Sequence, residues 1–270
     1  MDKQGLLLCS RYSVAPNFFG YCGPDKNKSL IDHLKENVAD KEVLHILKEF
    51  ETLYPYLQLI AYANKITNPF DRRVVEAYWL GNSLLKNVSV IYPSFLTEKL
   101  SLDKKINNKK MKGILKKVFS LPVLPHHSFH VFNIFKRTGK INVEHTLETM
   151  DQCRISCGQI IDYSVSQMSN VPTSPKGFDG QGKSQNHILK LKSIIIKSKP
   201  LMIIGKKLIL GQKLTTREVK IDYKGKSFIK DLKVGDWVSF HWGMVCDKLT
   251  LGQVKNLEHY TNEAISYYNL

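Results

Sequence analysis

Residues 234–249 have the sequence VGDWVSFHWGMVCDKL, which governs how the second half of the chain is interpreted. The Gly235-Asp236 pair is typical of a turn, and the large apolar side chains after it predict a strand over residues 237–242. Strand side chains alternate between two faces, so His241 is expected to share a face with Trp237 and Ser239. A histidine at this position is either a hydrogen-bonded strand residue or a functional group.

Short apolar runs precede this stretch. They predict further strands at residues 158–163, 188–196, 201–204, 207–210 and 218–223. The polar segment 164–187 is expected to be a long loop, and helical spacing returns over residues 251–268. Residues 150–270 are therefore predicted to form a small OB-like β-barrel with an inserted polar loop and a C-terminal helix.

The first half of the chain is predicted to be mainly helical. Apolar residues recur at three- and four-residue steps from about residue 29 to residue 118, and Asn68-Pro69 marks one helix start. Residues 1–149 are thus expected to form a helical domain that ends in a histidine-rich segment. The predicted fold class is α+β, with this helical domain followed by the barrel.

The charge of the chain is high but evenly spread. The 270 residues include 40 Lys and Arg against 24 Asp and Glu, a formal net charge of +16. Residues 1–149 and 150–270 each carry +8, and 34 of the basic residues are lysine. A dedicated nucleic-acid module concentrates its charge and uses arginine, so a nucleic-acid partner is not expected. An RNA-binding barrel ranks behind the two functions developed below.

Five cysteines, an odd number, fit a reducing compartment rather than a disulfide-stapled secreted module. No segment has the ~18 to 20 uninterrupted apolar residues of a membrane span. We therefore expect a cytoplasmic protein without a membrane partner.

Cys153 and Cys157 precede the first predicted strand. In a continuous strand these side chains share a face but lie ~13 Å apart, too far for one metal ion, whereas a bend or a helical turn would bring the sulfurs together. Cys157 and Cys246 are secondary candidates for metal ligands. The alternative for both is a buried, unreactive thiol.

Three histidines, His126, His127 and His130, lie within the segment PHHSFHVF, residues 125–132. Helical spacing would place His126 and His130 on one face, or His127 and His130 one turn apart, and either pair can bind a divalent metal. The apolar residues that follow also fit a strand. A polar cluster at the junction of the two halves and an acid/base role at neutral pH are the alternatives.

The candidate catalytic residues Arg11, Tyr21 and Cys22 lie before the first predicted helix. Glycines and a proline within residues 20–24 predict a tight loop that exposes Tyr21 or Cys22. This loop either lines a ligand pocket or packs across the helices. The sequence contains no Walker loop, no strand-linked GxGxxG and no serine nucleophile elbow, which excludes the enzyme classes that depend on them.

Residues 234–249 and the helix after them resemble the end of the small hydrogenase-maturation chaperone HypC/HupF. Residues 220–226 are similar to its preceding hairpin, and residues 153–160 are similar to its opening strand. By this resemblance Cys153 matches the functional cysteine of the chaperone and His241 matches its motif histidine. Over its whole length the chain is also similar to an uncharacterised prokaryotic protein family with the motifs GYCGP, DRRVVEAYWLGN, HHSFHVF and GDWVSFHW.

The resemblance implies a protein that holds iron, another transition metal or a metal-bound intermediate through a thiolate and an imidazole. Its role would be [NiFe] hydrogenase maturation or a related metal-centre assembly step, with the hydrogenase large subunit or other maturation proteins as partners. The alternative function is a metal-dependent or acid/base enzyme that uses His126, His127 and His130, with the barrel as a docking module.

Overall fold

The computed structural model describes residues 1–101, 112–113, 116, 124–135, 137–164, 193–223 and 225–270. Helices form the N-terminal part, five strands close into a barrel, and a long helix ends the chain. These elements confirm the predicted α+β fold. All but the first residue of the predicted polar loop, 164–187, lies outside the described residues.

The helices have the following bounds in chain order: α1 Lys3–Phe18, α2 Asn27–Glu36, α3 Lys41–Lys48, α4 Tyr54–Ala63, α5 Arg72–Trp79, a 3-10 helix Ser83–Val88, α6 Tyr92–Ser101, α7 His127–Phe129, a π-helix His130–Ile134, α8 Leu147–Cys153 and α9 Leu251–Tyr268. The π-helix continues α7 without a break. Helix α9 has the bounds that the sequence predicted, since a Thr250 and Gln253 capping box fixes its start.

The strands have the following bounds in chain order: β1 Ser156–Ser164, β2 Ser193–Ser198, β3 Leu201–Ile204, β4 Lys207–Leu210, β5 Thr215–Lys220, β6 Trp237–His241 and β7 Met244–Leu249. The barrel closes in the order β1-β2-β5-β7-β6, and β3 and β4 form a separate hairpin. Trp242 and Gly243 connect β6 to β7 with φ values of 52° and 70°. Positive φ at both central residues is what a two-residue hairpin turn requires, so β6 ends at His241.

Strands β6 and β7 direct alternate side chains to two different cores. Phe240 and Val245 belong to the core inside the barrel, whereas Met244 and Cys246 belong to the core shared with the helices. His241 points outward as well, because its ring contacts α1. The predicted alternation around His241 and Phe240 is therefore confirmed.

Helix α1 was not predicted from the apolar periodicity of the sequence. It packs against α2, α3 and α5 on one side and against β6 and β7 on the other. A helix that is buried on nearly all sides has no polar stripe, so apolar periodicity does not reveal it. As a result Arg11 lies within a helix and not ahead of the first one.

One apolar core joins the helical part to the outer face of the barrel and to α9. Helix α8, Leu147–Cys153, spans the predicted domain boundary between residues 149 and 150, and that boundary stays a prediction. Among the described residues, no helix is both long enough and apolar enough to cross a membrane.

Candidate metal site

Three elements each bring one potential metal ligand to a common point between the helices and the barrel. His127 is the first residue of α7, Cys153 is the last residue of α8, and His241 is the last residue of β6. One nitrogen of each histidine and the cysteine Sγ all lie within 4.8 Å of one another. A group of two imidazoles and a thiol at this spacing can hold a metal ion.

Local sequence fixes where these elements begin and end. The His126 side chain accepts a hydrogen bond of 3.2 Å from the Ser128 backbone N–H and so caps α7. Thr146 opens a capping box at the start of α8. The Trp242 backbone N–H donates to the Gln152 carbonyl at 2.8 Å, which joins the end of α8 to the turn after β6. The caps and this bond place the three side chains beside each other.

Two backbone carbonyls determine which ring nitrogens carry protons. Nδ1 of His241 donates to the Tyr12 carbonyl at 2.9 Å, and Nε2 of His127 donates to the Cys153 carbonyl at 3.0 Å. The other nitrogen of each ring therefore carries a lone pair. The Tyr78 hydroxyl lies 3.2 Å from Nδ1 of His127. Nε2 of His241 is buried and has no hydrogen-bond partner among the described residues.

Burial sets the protonation of the three groups. The exposed fractions of His241, His127 and Cys153 are 1%, 7% and 6%. Loss of water lowers the pKa of His241 to about 4 and that of His127 well below its usual value. Burial raises the pKa of the Cys153 thiol, which the neighbouring Arg137 guanidinium and Trp242 indole oppose. Both imidazoles are therefore neutral at pH 7, the form that binds metal, and the thiol must lose a proton to bind one.

Aromatic rings surround the three groups. The Trp79 ring centre lies 4.6 Å from that of His127 and 5.9 Å from that of His241, and the two histidine rings are 5.3 Å apart. On the opposite side, the Tyr21 ring lies 4.4 Å from the Trp242 ring. An apolar shell of this kind limits solvent access to a bound ion and strengthens electrostatic interactions within the site.

Sequence comparison assigns the chain, with His127, Cys153 and His241, to one protein family. A family model described as "Family of unknown function (DUF6390)" matches residues 1–188 and 183–270. The chain belongs to this family. No curated protein and no solved structure matches the chain significantly. The two matched segments include both the histidine-rich segment and the end of β6.

Of the predicted histidine ligands, His126 and His130 lie next to the site but outside it. His126 uses Nδ1 in the α7 cap and stacks on Tyr260 at 5.7 Å, and Nδ1 of His130 lies 3.4 Å from the Tyr56 hydroxyl. The predicted pairs do not converge because α7 has only one turn and then widens into a π-helix. Within the described ranges, the close group of ligand atoms takes His127 from this segment.

Of the predicted cysteine ligands, Cys153 belongs to the close group of ligand atoms, whereas Cys157 and Cys246 lie elsewhere. Residues 153–160 do not form one strand, since α8 ends at Cys153 and β1 begins at Ser156. Cys157 instead lines a groove with Arg154 and Glu258, and burial raises its pKa to about 11. Cys246 packs in the shared core on β7, where burial raises its pKa well above the usual value. Neither secondary candidate belongs to the close group of ligand atoms among the described residues.

The candidate catalytic residues of the N-terminal segment lie around the site. Arg11 pairs with Asp247 through an Nη1 to Oδ1 distance of 2.7 Å, which ties α1 to β7. Tyr21 covers Trp242, and burial raises the pKa of Cys22 to about 12. Arg11 thus connects α1 to the barrel, while Tyr21 packs on the residue after His241 and Cys22 lies near Cys153.

Sequence reasoning missed Arg137, Tyr78 and Trp79 as neighbours of the site. Tyr78 and Trp79 stand in DRRVVEAYWLGN, where they look like the apolar face of a helix. Arg137 stands outside every motif, and its only signal is that it is one of six arginines in a lysine-rich chain. These contacts join segments that are distant in the chain, so the spacing of residues in the sequence does not predict them.

Proposed function

We propose that this protein binds a transition-metal ion, iron in the first instance, through Cys153, His127 and His241, and acts as a metal-centre assembly factor. The observation that carries the proposal is the convergence of these side chains from α7, α8 and β6 at one buried point. The two histidines present neutral rings, each with a lone pair opposite a backbone-bonded nitrogen. That arrangement is the usual preparation of a histidine for metal binding.

The donor set favours particular metals. A thiolate with two imidazoles suits Fe²⁺, Co²⁺, Zn²⁺ and copper, whereas Mg²⁺ and Ca²⁺ prefer oxygen ligands. Three protein ligands leave one tetrahedral position for a further ligand or a metal-bound intermediate. The Tyr78 hydroxyl, which faces Nδ1 of His127, has a second acceptor in the Thr52 carbonyl at 3.4 Å. Tyr78 can therefore free this nitrogen for a metal and keep its own hydroxyl bonded.

The assembly role rests on the resemblance of residues 153–160, 220–226 and 234–249 to HypC/HupF, in which a thiolate and an imidazole serve iron on its way to [NiFe] hydrogenase. The helical part supplies His127 and Cys153, and the barrel supplies His241. Separation of β6 from α7 and α8 would break the ligand set and release the ion to a partner. The hydrogenase large subunit or another maturation protein is the proposed partner.

Metal binding is tested on the full chain, reconstituted without oxygen with Fe²⁺ and, separately, with Co²⁺. One ion per chain is expected, and His127→Gln and Cys153→Ala should each weaken its affinity at least tenfold. His130→Gln is the matched control, because His130 lies in the same segment outside the ligand group and has the same exposed fraction as His127, 7%. Circular dichroism checks that each variant is folded. Wild-type protein without stoichiometric metal, or equal losses in the two histidine variants, would show that the proposed site is wrong.

The assembly role is tested by purifying the chain without oxygen together with hydrogenase maturation proteins. Infrared bands of iron-bound cyanide and carbonyl are expected on the chain and should disappear in Cys153→Ala. Bands that stay on the partners and do not change in that variant would exclude a carrier role while leaving metal binding intact.

A cavity of about 250 Å³ favours an enzyme as the second candidate. Its lining includes Gly20 and Gly23 on both sides of Tyr21 and Cys22, and Thr138 next to Arg137. A cavity of this size accommodates a small substrate. An enzyme that uses the histidine cluster would retain its metal in Cys153→Ala and lose it in the double variant His126→Ala/His130→Ala, the reverse of the pattern expected above.

A further inference from the structure

Several buried hydrogen-bond donors next to Cys153 have no acceptor at hydrogen-bonding geometry among the described residues. Nε and Nη1 of Arg137 and Nε1 of Trp242 are buried without a hydrogen bond among the described residues. The remaining donor of the guanidinium, Nη2, reaches the Thr149 carbonyl at 3.5 Å, a long contact. Buried donors without acceptors are costly, so these groups are suited to bind an acceptor supplied by a ligand.

The two side chains are held near the thiol by their own packing. The Arg137 guanidinium carbon lies 4.0 Å from the centre of the Phe135 ring and 5.4 Å from that of Trp242. Hydrogen bonding from Arg137 and Trp242 opposes the rise in the pKa of Cys153, so the sulfur is the nearby group that their donors face. The Arg137 charge also lowers the pKa of His241, so the guanidinium lies near Cys153 and His241 of the ligand set.

With a divalent metal ion bound, the site and the neighbouring Arg137 would carry a net positive charge. No described carboxylate forms an ion pair with Arg137. A divalent ion bound by one thiolate and two neutral imidazoles carries a net charge of +1, and the adjacent guanidinium adds another. Two positive charges in a buried site favour the uptake of an anion.

We propose that the open coordination position of the metal binds a small monoanion, which accepts hydrogen bonds from Arg137 and from the indole N–H of Trp242. This inference rests on the proposed metal site and specifies the class of ligand that the site takes. The anion must be small, because Cys153, His127 and His241 are each at most 7% exposed. Arginine and indole N–H donors match an anion that bears its charge on terminal atoms.

A cavity lies next to the chain segment that follows Arg137. The cavity of about 250 Å³ is lined by Thr138, Gly139 and Lys140, which directly follow Arg137 in the chain. Asp25 lines the same cavity but is paired with Lys140. Because Arg137 directly precedes Thr138 in the chain, we expect it to attract an anion that enters this cavity as well as to bind it.

The test uses azide as the probe and the full chain loaded with Co²⁺, whose visible spectrum reports both thiolate and azide coordination. Azide should shift the cobalt bands of the wild-type protein. Arg137→Gln should keep the thiolate-to-cobalt band but weaken the azide Kd at least tenfold. Arg73→Gln is the control, because Arg73 is exposed and paired with Asp71, and its azide Kd should stay within about twofold of wild type. Trp242→Phe, which keeps a ring but removes the N–H, should weaken azide binding several-fold.

The outcomes separate this inference from the metal proposal. Wild-type protein without a thiolate-to-cobalt band would refute the metal site and this inference together. A normal band that does not respond to azide, or equal azide affinities in wild type and Arg137→Gln, would overturn the anion site alone. If Arg137→Gln does not fold, Trp242→Phe decides, and an unchanged azide Kd in that variant overturns the inference.

Discussion

The carbonyls of Tyr12 and Cys153 control the proton content of the proposed site. Each accepts a hydrogen bond from one nitrogen of a histidine ring, and this leaves the second nitrogen unprotonated. The remaining ionisable ligand is the Cys153 thiol, whose pKa is raised by burial. Metal binding near pH 7 is therefore coupled to the release of a single proton.

The affinity for Co²⁺ should consequently rise with pH. The pKa of the thiol is above its usual value of 9.0, and that of His241 is lowered to about 4, so only the thiol changes protonation on binding between pH 6 and pH 8. We expect the association constant to increase about tenfold per pH unit in this range. Competition with a chromophoric chelator at three pH values measures the slope. A slope near zero would mean that the thiol is not a ligand, and a slope near two would mean that a second group loses a proton.

The residues of the proposed site were only partly accessible from sequence. The spacing of three neighbouring histidines indicated His127, and the resemblance to HypC/HupF indicated Cys153 and His241. The sequence did not indicate which of three neighbouring histidines would join the cysteine, since the choice depends on a one-turn helix that becomes a π-helix. Arg137 was not nominated because only the folded chain brings it to Cys153.

At the scale of elements, α8 is held in place by a buried ionic network centred on Asp151. Its carboxylate accepts hydrogen bonds from Arg154 at 2.9 Å, from Arg217 at 2.6 Å and from the Leu201 backbone N–H at 3.1 Å. Arg154 in turn donates to the Lys199 carbonyl at 2.7 Å. The network joins α8 to β5 and to the start of β3, so it also fixes the position of Cys153 at the end of the helix.

Replacement of Asp151 should therefore destabilise the protein strongly. Asp151→Asn leaves the buried Arg154 and the half-buried Arg217 without a counter-charge, and we expect a loss of about 3 kcal/mol in the free energy of unfolding. Urea denaturation at pH 7, followed by circular dichroism, measures this loss. Glu36→Gln is the control, because Glu36 and Lys35 form an exposed pair at 3.6 Å, and its effect should be below about 0.5 kcal/mol. A similar small change in both variants would contradict the role given to the network.

The elements themselves differed in how far sequence could predict them. The bounds of α9, β3 and β4 matched the predictions because capping residues and short apolar runs between turns define them locally. Helix α1 was not predicted, since its surroundings on both sides are apolar and its sequence shows no polar stripe. Local periodicity cannot predict a helix that is buried on all sides by distant parts of the chain.

At the scale of the whole molecule, the shared core contains an unusual number of buried histidines. Burial lowers the pKa of His126 to about 3 and that of His241 to about 4, and it lowers the pKa of His127 well below its usual value. In the unfolded chain these rings take up protons near pH 6.5. The unfolded state thus binds more protons than the folded state between about pH 6.5 and pH 4.

The stability of the metal-free protein should therefore decrease as the pH falls through this range. Each of the three histidines contributes up to about 1.4 kcal/mol per pH unit to the loss, and the contribution is absent above pH 7. Urea denaturation in the presence of a chelator at pH 7, 6 and 5 measures the slope. His126→Gln should reduce it, whereas His45→Gln should not, because the side chain of His45 is 79% exposed. A stability that does not change between pH 7 and pH 5 would show that these rings are not buried in the neutral state.

The separation of the three ligands along the chain has a consequence for exchange of the ion. His127 and Cys153 are 26 residues apart, and His241 comes from the other side of the shared core. A ligand set from one helical turn releases its metal by local fraying. At the proposed site an ion would be released only when β6 moves away from α7 and α8, which requires the interior to open. The exchange rate of a radioactive or isotopically labelled ion would then measure how often the interior of the molecule opens.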